Sequence, residues 1–70
     1  MVEKIIELTG ASANSIEDAV NLALARAAVT IQGIRHVHVD DISATVENGA
    51  VANWRVKIRV TFAVQDRLHE

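Results

Sequence analysis

The 70-residue chain has no cysteine and no proline. No disulfide and no thiolate metal site can form from it. Aromatic residues are almost missing as well, with one tryptophan, one phenylalanine and no tyrosine. Half of the residues are nevertheless apolar, so the apolar area is spread over small aliphatic side chains. The net charge of −2 is too mild for a nucleic-acid binder, and no such partner is expected. No charged start followed by a long apolar run marks a secretory signal, and no run has the length of a membrane span. The expectation is a soluble cytoplasmic protein without a membrane partner.

Seventy residues make one domain, 1–70, with little core of its own. Domains of this size need a staple, and without disulfides the staple left is oligomerisation.

The stretch "VEKIIELTG" is rich in β-branched residues and ends at Gly10, which predicts a first strand over about 2–9. "ASANSIEDAVNLALARAAVTIQGI" then reads as a helix. Ser15 is its N-cap, with Asp18 three residues on as a carboxylate variant of the capping box. Glu17 and Asp18 suit the positive end of the helix dipole, and Gly33 is the expected stop. Ile16, Val20, Ala23, Ala27 and Ile31 form one apolar stripe. Leu22, Ala25 and Val29 form a second, which a helix resting on one sheet does not need. Contact with another subunit explains it.

From Ile34 the apolar period is two. Val37 and Val39 alternate with His36, His38 and Asp40, and then Ile42, Ala44 and Val46 continue with opposite parity. That switch predicts a β-bulge at Asp40–Asp41. In the third strand Trp54, Val56, Ile58, Val60, Phe62 and Val64 point inward, and Asn53, Arg55, Lys57, Arg59 and Thr61 outward. A three-residue loop, Glu47-Asn48-Gly49 with Gly49 left-handed, keeps apolar opposite apolar. Counting back from it places Asp40 and Asp41 near Arg55, His38 near Lys57 and His36 near Arg59. The order is β-α-β-β, an α+β fold. The helical crossover makes strands one and two parallel, and strand three lies between them, order 1-3-2.

The β-α-β-β order, "TGAS" before the helix, "ARA" with Thr30 within it and the closing "VTFAV" resemble the dodecins over nearly the whole chain. The resemblance implies a small non-enzymatic flavin-binding or storage protein, with the sheet wrapped on the helix and twelve copies forming a hollow homododecamer. It implies riboflavin or FMN as cofactor and His36, Arg55, Asp41, Ser43 and Ala63 as the binding positions. Dodecins typically carry tryptophan at the position of His36, stacking on the isoalloxazine ring. They typically carry glutamine at that of Arg55, bonding the pyrimidine edge. Many bacterial members have arginines near Ser43 and Ala63 that favour a phosphate. Asp41 retains the acid that approaches the ribityl chain. The expected pocket is therefore an altered one. The other reading is a structural shell or interaction module that has lost its ligand.

His36 and His38 share a face, as residues two apart on a strand do. Two imidazoles there can share a divalent ion, but the site needs a third ligand and an outer shell, and Lys57 and Arg59 are expected beside it. A polar face or subunit interface is the plainer reading, and no metal is expected. Imidazole is aromatic but covers less of a flavin than indole, and Arg55 can donate to flavin carbonyls but cannot accept from the ring N–H. The outward Arg55, Lys57 and Arg59 either bind an anionic ligand or pair with Asp40, Asp41 and Glu47 across the hairpin. Trp54, inward by parity, reads as core. No nucleophile beside a base and no glycine-rich phosphate loop is present, so no catalysis is expected.

Overall fold

In the computed structural model, which describes residues 2–64, the chain runs β1 (Val2–Ser12), α1 (Ile16–Ala28), β2 (Ile34–Glu47) and β3 (Ala50–Val64). β3 lies between β1 and β2 and is antiparallel to both, which is the expected order 1-3-2. The strict alternation of β3 carries the core. Val56, Ile58 and Val60 are all but fully buried, and Ala19 and Ala23 of α1 cover them. Burying each such aliphatic side chain contributes roughly 1.5–3 kcal/mol. Trp54 points to the same face, opposite Ala44, and is half-buried.

The buried helix positions are Ala19, Ala23 and Ala27, with Ile16, Val20 and Leu24 packed at their flanks. Small residues on this line let the helix sit close to the sheet. Gly10 completes the fit. A Cβ there would overlap the Ala19 carbonyl oxygen and stand 3.1 Å from the Ala23 Cβ. Gly10 is therefore a point of close approach rather than the end of a strand, and β1 runs on to Ser12.

Ser15 caps the helix as expected, its hydroxyl accepting from the Asp18 N–H at 2.9 Å. The reciprocal half of the capping box does not form. The Asp18 carboxylate instead accepts from the Ser12 hydroxyl at 2.6 Å, and Ser12 Oγ accepts from the Asn14 N–H at 2.9 Å. Ser12 is buried, so this bond ties the end of β1 to the first turn of α1. The helix stops at Ala28, five residues before Gly33. Val29, Thr30 and Ile31 are β-branched and lose rotamer freedom in a helix, which favours the early end. Gly33, at φ 78°, turns the chain into β2, and its carbonyl accepts from the Ala63 N–H.

The hairpin differs from expectation in its turn and in its register. Glu47 pairs with Ala50, so the loop has two residues, Asn48 (φ 53°) and Gly49 (φ 78°). Both central residues at positive φ match the twist of the strands. Apolar still meets apolar because the pairing shifts between Thr45 and Val46, where Ala52 is the extra residue on β3. The bulge expected at Asp40–Asp41 is present, and a third shift lies at Arg35.

The molecule extends 59 × 20 × 12 Å. A 13-residue helix is about 20 Å long, whereas the 15 residues of β3 span about 50 Å. The helix packs on β1 and β3 and leaves the far hairpin bare. Ile42, Val46 and Val51 of the hairpin are exposed, as are Leu22 and Val29 on the second helix stripe.

Candidate functional site

The helix covers one sheet face, so the odd-numbered residues of β3 from Asn53 on define the open one. Residues paired directly across strands share a face. Four rows cross it from β1 through β3 to β2: Ile5–Thr61–His36, Glu7–Arg59–His38, Thr9–Lys57–Asp41 and Ala11–Arg55–Ser43. Ala63 continues the face beside Glu3. The five expected binding positions, His36, Asp41, Ser43, Arg55 and Ala63, thus share one surface. They do not converge in one chain. His36 lies opposite Thr61, six residues along β3 from Arg55, a separation of about 20 Å at strand rise.

The two-residue turn and its bulge slide β2 along β3 relative to the expected register. Arg55 faces Ser43 rather than the aspartates, Asp41 faces Lys57, His38 faces Arg59, and His36 faces Thr61. Asp40 is the extra residue of its bulge, and its side chain returns to the open face. It accepts from Arg59 Nε at 2.8 Å and from Arg59 Nη2 at 3.0 Å, a two-pronged pairing. The hydrogen bond from Arg59 holds the Asp40 carboxyl below its ordinary value, and Asp40 raises the Arg59 guanidinium in turn. His38 Nε2 lies 3.4 Å from Asp40 Oδ1. The histidine therefore neighbours a carboxylate as well as a cation.

Of the pairings expected for the basic stripe, only Asp40 with Arg59 forms among the described residues. Arg55 and Lys57 have no ion pair there, and Glu47 lies at the turn opposite Ala50. No three His, Asp or Glu side chains among the described residues are grouped to hold a metal ion. A groove of about 360 Å³ lies elsewhere, between the edge of β1 and α1, lined by Thr9, Gly10, Ala11, Leu22, Ala23 and Arg26. Among the described residues no helix is long and apolar enough to cross a membrane.

The fold and this open face can be set against known proteins. A family model described as Dodecin matches residues 2–65. The chain belongs to the dodecin family. It is 32% identical to the dodecin of Thermus thermophilus over 65 residues, covering 93% of this chain and 94% of that protein. Dodecin from Streptomyces coelicolor superposes with a TM-score of 0.87 at 26% identity, covering 94% of each chain. A calcium-chelating immunodominant antigen of Mycobacterium tuberculosis, calcium dodecin, has a TM-score of 0.79 at 30% identity over 93% of each chain. The fold expected from the sequence is thus the dodecin fold, and the family is one of small, non-enzymatic flavin-binding proteins.

Within the dodecin frame, sequence reasoning missed two features of the face. One is the register of the Asp40–Arg59 clasp, because counting from a three-residue loop put Asp40 near Arg55 and the second bulge, at Ala52, leaves no break in the apolar pattern. The other is the isolation of Arg55. A visible signal for it existed, since "NG" favours a two-residue turn and that turn sets the register.

Proposed function

We propose that this dodecin-family chain assembles into a closed homo-oligomer, twelve copies on the family pattern, and binds a small planar ligand at its open sheet face. Flavin, as riboflavin or FMN, is the inherited candidate, and the role is non-catalytic binding or storage in the cytoplasm. The observation that carries the reading is the placement of His36, Asp41, Ser43, Arg55 and Ala63 together on the face that the helix leaves uncovered.

The separation of His36 from Arg55 supports a site shared between copies. One ring system cannot stack on the first and bond the second when about 20 Å of strand lies between them. Two chains meeting face to face bring the imidazole of one toward the guanidinium of the other. On the helix side, the exposed Leu22, Val29, Ile42, Val46 and Val51 supply apolar surface for the further contacts of a closed oligomer. His36 would stack on the ligand over a small area, Arg55 and Ser43 would donate to its edge, and Asp41 would accept from ribityl hydroxyls.

The test is the visible absorption spectrum of freshly purified protein, with mass spectrometry of anything released on denaturation. A flavin spectrum with the matching mass supports the reading. A colourless assembly that also fails to quench added riboflavin leaves a structural shell without a ligand.

A further inference from the structure

Three cations lie in a line on the open face of β3, and their neighbours differ in a graded way. Arg59 has acids on both sides: Asp40 clasps it from β2, and Glu7 stands opposite on β1. Lys57 has one acid opposite, Asp41, and Thr9 on the other side. Arg55 has none. Its cross-strand partners are Ser43 and Ala11, and its neighbour along the same face of β3 is Asn53, which pairs with Thr45. Direct cross-strand pairing with acids therefore fades toward the hairpin end, and among the described residues none stands opposite Arg55.

We infer that Arg55 makes the site selective for a planar aromatic ligand bearing an oxyanion on its edge, in preference to a neutral ring. This deepens the ligand-binding reading above and rests on it. Guanidinium carries five N–H donors and no acceptor, so it cannot satisfy a ring N–H, whereas a carboxylate matches its planar fork with two parallel bonds. The Ser43 hydroxyl stands directly opposite and adds a donor, and Asn53 adds an amide. No described carboxylate within ion-pair distance competes for the guanidinium. The nearest acid on the face, Asp41, is paired in register with Lys57 rather than with Arg55. Of the two guanidiniums in the line, Arg59 is already occupied by a carboxylate of its own chain. Arg55 has the same chemistry and no such partner among the described residues, so the ligand supplies it.

The experiment compares two fluorescent probes of one ring system, pterin-6-carboxylate and neutral pterin, titrated into the full-length assembled protein. The parent should bind the carboxylate at least about tenfold more tightly than the neutral probe, the lower end for a hydrogen bond to a charged group. Added salt should shrink that preference, because it rests on attraction between opposite charges. Arg55→Gln should remove the preference, and Arg55→Lys should retain part of it, since lysine keeps the charge but loses the fork. Arg59→Gln should leave it in place, because that guanidinium is already engaged. Equal binding of both probes by the parent, or a preference that survives Arg55→Gln, overturns the assignment while the binding site itself stands. If neither probe binds the parent, the assignment is overturned, and if riboflavin also fails to bind, the ligand-binding reading falls with it.

Discussion

Arg59 holds Asp40 with two nitrogens, Nε at 2.8 Å and Nη2 at 3.0 Å, across a bulge that adds Asp40 to β2 without adding a partner to β3. The pairing is local chemistry made by a register. Shifted by two residues, the same carboxylate would meet Lys57, Asp41 would face Arg55, and the open face would have a different charge pattern. The pairing also has a sign in pH. Asp40 titrates below its ordinary 3.8 in the folded chain. Its contribution to stability is thus present above that value and is lost as pH falls through the lower folded one. Arg59→Ala should move the Asp40 carboxyl back up toward the ordinary range, read by carbon NMR titration. The gap in urea midpoint between parent and variant should close in acid. Because the pair is solvent-exposed, added salt should narrow that gap at neutral pH as well.

Gly10 is set by the helix above it. Gly10→Ala should destabilise the fold by about 1–3 kcal/mol, the usual cost of forcing extra volume into a packed site. The obstacle is the Ala19 carbonyl, which is backbone and cannot swing away. Chemical denaturation measures the loss. A neutral effect would mean that α1 lifts from β1 at no cost.

The two-residue turn is checked at its two left-handed residues. Gly49→Ala should cost about 1–2 kcal/mol, the penalty of a Cβ in the left-handed region. Space is not the issue, since nothing lies within 4 Å of the added atom. Asn48→Gly should be close to neutral and Asn48→Val clearly destabilising, because a β-branched residue resists the φ of 53° at that position. In a three-residue loop with only Gly49 left-handed, Asn48→Val would be tolerated.

Leu22 is 49% exposed in the single chain. A polar residue at such a position normally changes stability little. If it lies between subunits, Leu22→Glu should break the assembly and unfold the subunit with it, as obligate oligomers often have no stable monomer. Light scattering and circular dichroism on the same sample distinguish the cases. A folded monomer of the parent at micromolar concentration would sink the assembly proposal.

His36→Trp with Arg55→Gln should tighten riboflavin binding by about one to two orders of magnitude. The larger ring adds roughly 0.5–1.5 kcal/mol of stacking. A group that both donates and accepts adds about 0.5–1.5 kcal/mol more, at 1.4 kcal/mol per tenfold. Flavin fluorescence quenching follows each variant. No gain in the double variant means that the pocket has diverged beyond these two positions.

The amino-acid pattern by itself determined the elements, their order and the inward set of β3. Period-two alternation and the Ser15 cap are local signals, readable wherever side-chain direction follows backbone geometry. The helical crossover then left order 1-3-2 as the simplest arrangement. The Asp40 bulge was legible for the same reason, because an extra residue reverses the parity of everything after it. The bulge at Ala52 was not. It offsets the two-residue turn, so apolar residues stay opposite each other and the pattern shows no break. Two compensating shifts and no shift leave the same hydrophobic trace, and only the backbone pairing separates them. That pairing decided which acid meets which base, and so which cation on the open face has a partner in its own chain. The role of Gly10 was also hidden, because a close approach between β1 and α1 depends on elements that local sequence does not bring together.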